Sequence, residues 1–342
     1  MLSRVLSVLG LLALSAGCGS DDSDWLTIDH KELIPGVVGS IVTDIAGARA
    51  YVCTGSSLVT VDLASQAATR QVSLPDDTTF TLVDAIDSGG SFVAVHTFSE
   101  ANLIAVSDGA VLATIRATGI GRTTLANGWW YLPVANERRV IAVRFDGSDQ
   151  TDIPLSASNA PSMRALPKIT AASPDGAIVV VDDPTRSSLQ VIDTATNTLR
   201  PQRFVIGFTV VALAVPDRET AIAVGQGTLA VVDLSDPYAI PTLITVPFLD
   251  DLRSDETFGS RSLVAFNSSR TGFIAAAVPD DGPFDDMELG VVDAATGRVS
   301  RRTLVPLNPG TGFHSIAVTA DDQAVLYGSG TDLFFIRAAA PF

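Results

Sequence analysis

The sequence predicts an all-β fold built from seven similar antiparallel units, and three observations support this prediction. Val, Ile, Thr, Gly and Pro dominate the chain from residue 24 onward, which favours strands joined by turns. Hydrophobic residues make up 46% of the chain and charged residues only 18%, so a large core can be buried. A short apolar run followed by a turn, represented by residues 229–234, recurs seven times.

The spacing of these copies predicts how the units are arranged. The apolar runs end at residues 62, 107, 145, 193, 233, 293 and 337, in steps of 38 to 60 residues. The blades of β-propellers repeat about every 40–50 residues. The longest step contains an insertion at residues 247–261. We therefore predict a seven-bladed β-propeller of four-stranded antiparallel blades, in which the recurrent run is the third strand of each blade.

The turns of the seven units follow in order along the chain. The first turn of most units contains Gly, Asn, Asp or Pro, the residues that tight turns require. These turns lie at residues 46–49, 87–90, 126–128, 173–176, 216–219, 267–272 and 320–323. The seventh unit supplies only three strands, whereas residues 25–30 precede the first unit without a strand partner. We predict that this N-terminal segment is the fourth strand of the last blade and closes the ring.

Two repeats carry a family resemblance. Residues 314–322, together with residues 169–176 and their Ser-Pro-Asp-Gly turn, resemble the repeat of bacterial YVTN-type propellers. An Asp after the third strand is similar to the same family and, more loosely, to WD-repeat proteins; it occurs at Asp62, Asp193, Asp233 and Asp293. We expect these Asp residues to cap turns. Because such propellers include lactonases as well as binding scaffolds, the resemblance implies a fold and leaves the function open.

The N-terminus has the features of an export signal. Arg4 precedes an apolar run at residues 5–14, which is shorter than the roughly 20 residues that span a bilayer. Residues 14–18, Leu-Ser-Ala-Gly-Cys, resemble the lipobox of bacterial lipoproteins. The resemblance implies that residues 1–17 are a lipoprotein signal peptide and that Cys18 receives the lipid. The alternative is an ordinary secretory signal in which Cys18 is incidental.

This organisation predicts where the protein resides. Residues 18–24 are acidic and rich in Gly and Ser, so we expect a flexible tether between the lipid and a single propeller domain at residues 25–342. The protein would then be exported and held in the cell envelope by its lipid, and Gly19 favours the outer membrane. The net charge of −16 argues against nucleic acid as a partner.

The candidate site residues lie on one predicted face of the propeller. Ligands usually meet the face that carries the connections between blades and the turns between second and third strands. His314, His96 and Arg122 fall on this face and are the candidates for catalysis, because His can exchange protons near neutral pH. The alternative is a structural role, with His314 capping a strand start and His96 in a partly exposed loop.

Other charged residues on the same face are candidates for ligand binding. Arg164, Arg186 and Arg261 would favour an anionic ligand if they converged on the channel, and scattered surface positions are the alternative. Asp251 and Arg253 lie in the long insertion, where recognition or a plain surface loop is possible.

One acidic loop is a candidate cation site. Asp280, Asp281, Asp285 and Asp286 lie close together in the sequence, and calcium prefers several oxygen ligands. Their spacing differs from that of the EF-hand loop, so the alternative is a solvated acidic loop. We expect no cofactor other than this possible calcium.

These observations lead to two functional hypotheses. The first is a non-enzymatic binding or scaffolding module for a protein or small-molecule ligand, because the repeats bring no convergent catalytic set. The second is a YVTN-like hydrolase of the lactonase type, with its active site at the central channel. An Arg, a His and a carboxylate grouped at the channel would favour the second hypothesis.

Overall fold

The computed structural model describes residues 26–36, 38–44, 47–74, 82–87, 89–97, 99–134, 137–155, 169–183, 186–250, 264–277, 286–306, 314–329 and 331–338. The strands in these residues form seven antiparallel sheets of four strands each. In blades one to six the four strands follow the chain in order, and the seventh sheet has the order β1-β28-β27-β26. The predicted fold class, a seven-bladed β-propeller, is therefore confirmed.

The strand bounds agree with the units predicted from the sequence. The N-terminal strand and the first three blades are β1 Leu26–Leu33; β2 Ser40–Thr43, β3 Arg49–Cys53, β4 Ser57–Asp62, β5 Ala67–Ser73; β6 Leu82–Ile86, β7 Phe92–His96, β8 Glu100–Ala105, β9 Val111–Arg116; β10 Thr124–Ala126, β11 Trp129–Val134, β12 Arg139–Arg144, β13 Gln150–Pro154. The remaining blades are β14 Thr170–Ala172, β15 Ile178–Asp183, β16 Ser188–Asp193, β17 Thr198–Val205; β18 Ala212–Ala214, β19 Thr220–Gly225, β20 Thr228–Asp233, β21 Thr242–Thr245; β22 Val264–Phe266, β23 Gly272–Ala277, β24 Asp286–Asp293, β25 Val299–Pro306; β26 His314–Val318, β27 Ala324–Ser329, β28 Asp332–Ala338. A short 3-10 helix, Pro247–Leu249, follows blade five.

The core is divided among the junctions between blades. Each of seven buried clusters combines residues of two consecutive blades, and the last of them joins blade seven to blade one. The second and third strands are therefore buried on both faces, as in β11, where every residue is buried. Strands buried on both sides read as continuous apolar runs rather than as alternating patterns. This burial explains why the repeated sequence motif is an unbroken apolar run.

The N-terminal strand closes the ring as predicted. β1 pairs antiparallel with β28, from Leu26 opposite Ala338 to Leu33 opposite Asp332, with a bulge between Ile28 and His30. The strand is three residues longer at its C-terminal end than the predicted segment, which ended at His30. Asp29, in the bulge, accepts a hydrogen bond of 2.8 Å from Arg337 on the paired strand.

The Asp residues after the third strands cap turns, in agreement with the sequence prediction. Asp62 and Asp233 each accept a hydrogen bond from the backbone N–H of a following Ser, at 2.7 and 2.9 Å. The hydroxyl groups of the same Ser residues donate as well, and these bonds together hold the pKa of both carboxyls below the usual value. Asp293 makes the same contact with the Thr296 N–H at 2.8 Å. The most regular polar feature of the repeat is therefore structural.

Strand direction gives the ring two distinct faces. The first strand of each blade lies at the axis and runs away from the connection that joins it to the preceding blade. We call the face with these connections and with the turns between second and third strands the loop face. The opposite face, with the turns between first and second strands, is the turn face. β1 begins at the turn face, because Leu26 lies opposite the last residue of β28.

Candidate binding site in the central channel

A cavity of about 150 Å³ lies at the axis, among the first strands of blades one to five. Its lining residues come mostly from the beginnings of these strands, so the cavity is at the loop-face end of the channel. The walls combine apolar side chains such as Ile41 and Leu213 with five polar residues: Ser40, Asp84, Arg122, Thr123 and Thr170. Among the described residues, these five are the groups that give the channel mouth its chemistry.

Hydrogen bonds around this mouth join consecutive blades. In each bond, a backbone N–H of one first strand donates to an oxygen of the preceding blade. The pairs are Ile41 N with Ser315 Oγ (3.1 Å), Val83 N with Ser40 Oγ (2.6 Å), Thr123 N with Asp84 Oδ2 (3.0 Å) and Thr170 N with Arg122 O (3.0 Å). The mouth is thus held by polar contacts, whereas the blades are held by apolar packing.

Asp84 and His96 form a buried pair beside the cavity. A register shift in β6 between Val83 and Ala85 leaves Asp84 outside the regular pairing with β7. Asp84 Oδ2 lies 2.7 Å from His96 Nε2, and both side chains are less than 5% exposed. His96 Nδ1 lies 3.0 Å from the carbonyl oxygen of Thr97. Nδ1 therefore faces a carbonyl oxygen, and Nε2 lies at ion-pair distance from Asp84 without hydrogen-bond geometry, so that a protonated ring is the charge partner of this carboxylate.

The electrostatics of His96 agree with this geometry. Burial lowers the pKa of His96. The charge and close contact of Asp84, together with the Thr97 carbonyl, raise this pKa by a larger amount, so that the net shift is upward. The sequence placed His96 in a partly exposed loop, whereas the structure places it in a buried strand end, 3% exposed. In this arrangement neither ring nitrogen is available to a ligand, and the role of His96 is to hold and neutralise Asp84.

Arg122 lies immediately before β10, deep within the ring. Its carbonyl oxygen accepts hydrogen bonds from the backbone and side chain of Thr170, which fixes the backbone at this point. Burial lowers the pKa of Arg122, and the charge of Asp84 opposes that shift. Arg remains protonated in proteins. Among the described residues, none lies within hydrogen-bond or ion-pair distance of the guanidinium.

Two further atoms at the mouth have spare bonding capacity. Thr123 is 3% exposed and lines the cavity, and its hydroxyl has no partner in the described part of the chain. Asp84 uses Oδ2 for both His96 and Thr123 N, so that Oδ1 receives no hydrogen bond from a described residue. Arg122, Thr123 and Asp84 together offer two donors and one acceptor toward a single cavity.

A second arginine lies at the opposite end of the channel. Arg270 lies in the turn between β22 and β23, on the turn face. Its Nη1 donates to the carbonyl oxygens of Ala172 in blade four and Val215 in blade five, the latter at 2.7 Å. The residue has a φ of 58°, a left-handed conformation that is uncommon outside Gly. Arg270 thus bridges the turn-face ends of the first strands.

Arg186 joins a different charged cluster. Asp183, 1% exposed, ends β15, and Arg203 and Arg138 approach its Oδ2 at 3.6 and 4.0 Å. Burial lowers the pKa of Arg203, and the nearby charge of Arg186 lowers it further, against the charge of Asp183. This cluster sits between blades three and four on the loop face. The structure therefore brings Arg122 to the channel and Arg186 to the rim, rather than converging the two.

The other predicted site residues are not described by the structure. Cys18, Arg164, Asp251, Arg253, Arg261, Asp280, Asp281 and Asp285 lie outside the described residues, and only the backbone of His314 and Asp286 is described, at the starts of β26 and β24. In the described part of the chain, no group of three or more His, Cys, Asp and Glu is arranged to hold a metal ion. No described helix combines the length and the apolar character needed to cross a membrane.

Comparison with known proteins supports the fold alone. No protein-family model matches the chain, and no curated protein matches it. The chain is similar in structure to the β-propeller domain of Myceliophteria thermophila Cps50 (Swd1), with a TM-score of 0.70 and 13% identity over 92% of this chain and 100% of that one. It is also similar to Kuenenia stuttgartiensis hydrazine synthase, with a TM-score of 0.64 and 14% identity over 90% of this chain and 96% of that one.

Proposed function

We propose that the protein is a lipid-anchored binding module of the bacterial cell envelope, which takes its ligand at the loop-face end of its channel. The observation that carries the binding role is the cavity at the channel mouth, where the Arg122 guanidinium has no partner among the described residues. Arg122 is partly buried, and a guanidinium that has lost part of its hydration without gaining a partner favours an external anion. The propeller scaffold fits a binding module, because its loop face gathers residues from several blades.

The anchor rests on the sequence at residues 14–18 and on the tether at residues 18–24. The start of β1 on the turn face is compatible with this anchor. A lipid on Cys18 would attach to the face opposite the cavity. The channel mouth would then be directed away from the membrane and toward ligands in the surrounding compartment.

The anchor is tested by metabolic labelling of the full-length protein with palmitate. We expect label on the wild type and none on the Cys18→Ala variant. Equal labelling of the two would contradict the anchor. The binding role is tested by mass spectrometry of small molecules released from the protein after purification from its own envelope. We expect a released compound to be enriched over a mock purification, and the absence of any enrichment would contradict the binding role.

A second candidate function is a hydrolase of the lactonase type. It is favoured by one observation, the grouping of Arg122, Asp84 and His96 at the channel mouth. It is disfavoured by the engagement of both nitrogens of His96, which leaves no free base on that ring. Incubation of the purified protein with a panel of lactones tests it. Hydrolysis that is lost in Asp84→Asn would favour the enzyme, and no turnover above buffer would remove it.

A further inference from the structure

We propose that the channel mouth binds a small organic carboxylate, with the Arg122 guanidinium holding the carboxylate group. The inference rests on the proposed binding function and names the chemical class of the ligand. Arg122, Thr123 and Asp84 are the three residues that recognise it, and His96 keeps Asp84 in place without contacting the ligand.

The charges at the mouth favour an anion. Asp84 carries one negative charge, and the His96 imidazolium at 2.7 Å compensates it. Arg122 then supplies one positive charge that no described ion pair compensates. This excess of positive charge is confined to the channel mouth, whereas the whole chain has a net charge of −16. A ligand with one negative charge would make the mouth neutral, and the low dielectric of the interior strengthens that attraction.

The geometry of the donors favours a carboxylate. A guanidinium presents its N–H groups as a planar fork that matches the two oxygens of a carboxylate. Thr123 follows Arg122 in the chain, and its unpartnered hydroxyl lines the same cavity. A buried hydroxyl without a partner is uncommon in folded proteins and indicates that a partner is supplied from outside the chain. These two donors therefore come from adjacent residues and serve one anion.

Asp84 sets a second requirement on the ligand. It lines the cavity, and its Oδ1 receives no hydrogen bond from a described residue. A ligand with a hydroxyl group next to its carboxylate can donate to this oxygen. The same carboxylate disfavours a ligand with two or more negative charges, since like charges repel. A short hydroxy acid therefore fits the mouth better than inorganic phosphate.

The size and walls of the cavity agree with a short ligand. A volume of about 150 Å³ accommodates a small acid and a few water molecules. Apolar side chains, among them Ile41, Val83 and Ile169, line the cavity beside the polar group. These walls favour a ligand with a compact carbon skeleton.

Calorimetric titration of the full-length protein in detergent tests the proposal, with glycolate, acetate and inorganic phosphate as probes. We expect glycolate to bind more tightly than acetate, and phosphate to bind least. Arg122→Gln should weaken glycolate binding by more than about tenfold, because charge-assisted hydrogen bonds are lost. Thr123→Val should weaken it severalfold while leaving the folded state intact, since its hydroxyl has no partner to lose.

Arg116→Gln is the matched control. Arg116 is exposed on the outer strand of blade two, where it pairs with Glu100 at 2.9 Å. This variant should bind glycolate as the wild type does. Equal weakening in Arg116→Gln and Arg122→Gln would overturn the proposal, as would tighter binding of phosphate than of glycolate. Absence of heat with every probe would overturn it too.

The proposed binding function has a separate outcome. If a compound is released from protein purified from its envelope, and in equal amount from wild type and Arg122→Gln, the binding module stands and the carboxylate site is wrong. If palmitate labels Cys18 while no compound is released, the anchor stands and the binding role fails. The three conclusions are therefore distinguished by three different measurements.

Discussion

The two ends of the central channel carry one partly buried arginine each, and the two arginines have opposite surroundings. At the turn face, Arg270 donates to two carbonyl oxygens from different blades. At the loop face, Arg122 reaches no acceptor among the described residues, although Asp84 lies near enough to influence its pKa. The backbone provides carbonyl acceptors for Arg270, but no described residue provides an acceptor for the Arg122 guanidinium. The difference supports the proposal that the loop-face end binds a ligand, whereas the contacts of Arg270 are structural.

The surroundings of the two residues reinforce this contrast. Arg270 adopts a left-handed backbone conformation at a φ of 58°, a strain of the kind that persists where surrounding contacts enforce it. The backbone carbonyl of Arg122 accepts a hydrogen bond from Thr170 N. This bond fixes the backbone and leaves the guanidinium free of contacts with described residues. Next to it, Asp84 takes a bond from Thr123 N and an ion pair from His96. At the loop-face end, hydrogen bonds thus hold the backbone, whereas the Arg122 guanidinium and the Thr123 hydroxyl have no partner among the described residues.

The largest effect is expected from Asp84→Asn. This change removes the counter-charge of His96, which must then lose its proton to stay buried, takes away the carboxylate near Arg122, and weakens the bond to the Thr123 N–H. Breaking a buried ion pair by removing one partner costs about 3–5 kcal/mol, and we expect a loss of unfolding free energy in that range. Urea denaturation measures it. A loss below about 1 kcal/mol would show that the pair is not the polar support of the loop-face end.

Removal of the arginine at the turn face should have a smaller effect of the same sign. Arg270→Asn deletes two hydrogen bonds to carbonyl oxygens while keeping a residue that tolerates positive φ. Each charged hydrogen bond contributes about 1.5–3 kcal/mol, and water replaces part of this at the channel end. We expect a destabilisation of about 1–3 kcal/mol by the same denaturation assay. An unchanged midpoint would mean that Arg270 does not bridge blades four and five in solution.

The sequence predicted the scaffold well because its signals are local and repeated. Apolar runs such as residues 229–234 and turns such as residues 173–176 each specify a strand or a hairpin without reference to distant residues. Counting strands then predicted closure by β1, since a propeller leaves no blade with three strands. The same repetition identified Asp233 and its counterparts as turn caps, which the hydrogen bonds confirm.

The channel mouth was predicted only in part because it is assembled from distant residues. His96 and Arg122 were selected by residue type and face, but Asp84, which links them, was missed. In the sequence Asp84 is a lone carboxylate inside the apolar strand Leu82–Ile86, and that break in the pattern was the available signal. Whether it meets His96 depends on a bulge in β6, and its contact with Thr123 depends on the curvature of the ring. The prediction that the insertion at 247–261 and the loop at 279–288 carry function stays a prediction.

Removal of the arginine at the loop face should have the opposite sign. Arg122→Met replaces a partly buried cation, which has no partner among the described residues, by an apolar side chain of similar length and keeps the backbone carbonyl that Thr170 uses. Replacing buried charges by hydrophobic residues is often neutral or stabilising. In the absence of added carboxylate we expect between no change and about 2 kcal/mol of added stability. A destabilisation as large as that of Arg270→Asn would mean that Arg122, too, has a structural partner.

The smallest expected effect is on the pH dependence of stability. This effect reports on the loop-face end of the channel, because His96 lies beside that end. The pKa of His96 is raised in the folded state by Asp84 and the Thr97 carbonyl, against burial and the charge of Arg122, which lower it. A raised pKa contributes stability that is complete below the unfolded value of about 6.5. That stability is lost as the pH rises through the folded pKa. The unfolding free energy of the wild type should therefore decrease between pH 6 and the alkaline range, by about 1.4 kcal/mol for each unit of pKa difference.

Comparison with His96→Gln isolates this contribution from those of His30 and His314, because both other histidines remain in the variant. In Asp84→Asn the favourable charge is gone, and burial then lowers the pKa of His96 below the unfolded value. Stability in that variant should increase as the pH rises from the lowered folded pKa to the unfolded value of about 6.5 and should be level above it, whereas in the wild type it decreases above pH 6. Urea denaturation at several pH values measures both slopes. Parallel slopes in the wild type and Asp84→Asn would show that the imidazolium is not held by Asp84, and the count of charges that leaves Arg122 uncompensated would then be wrong.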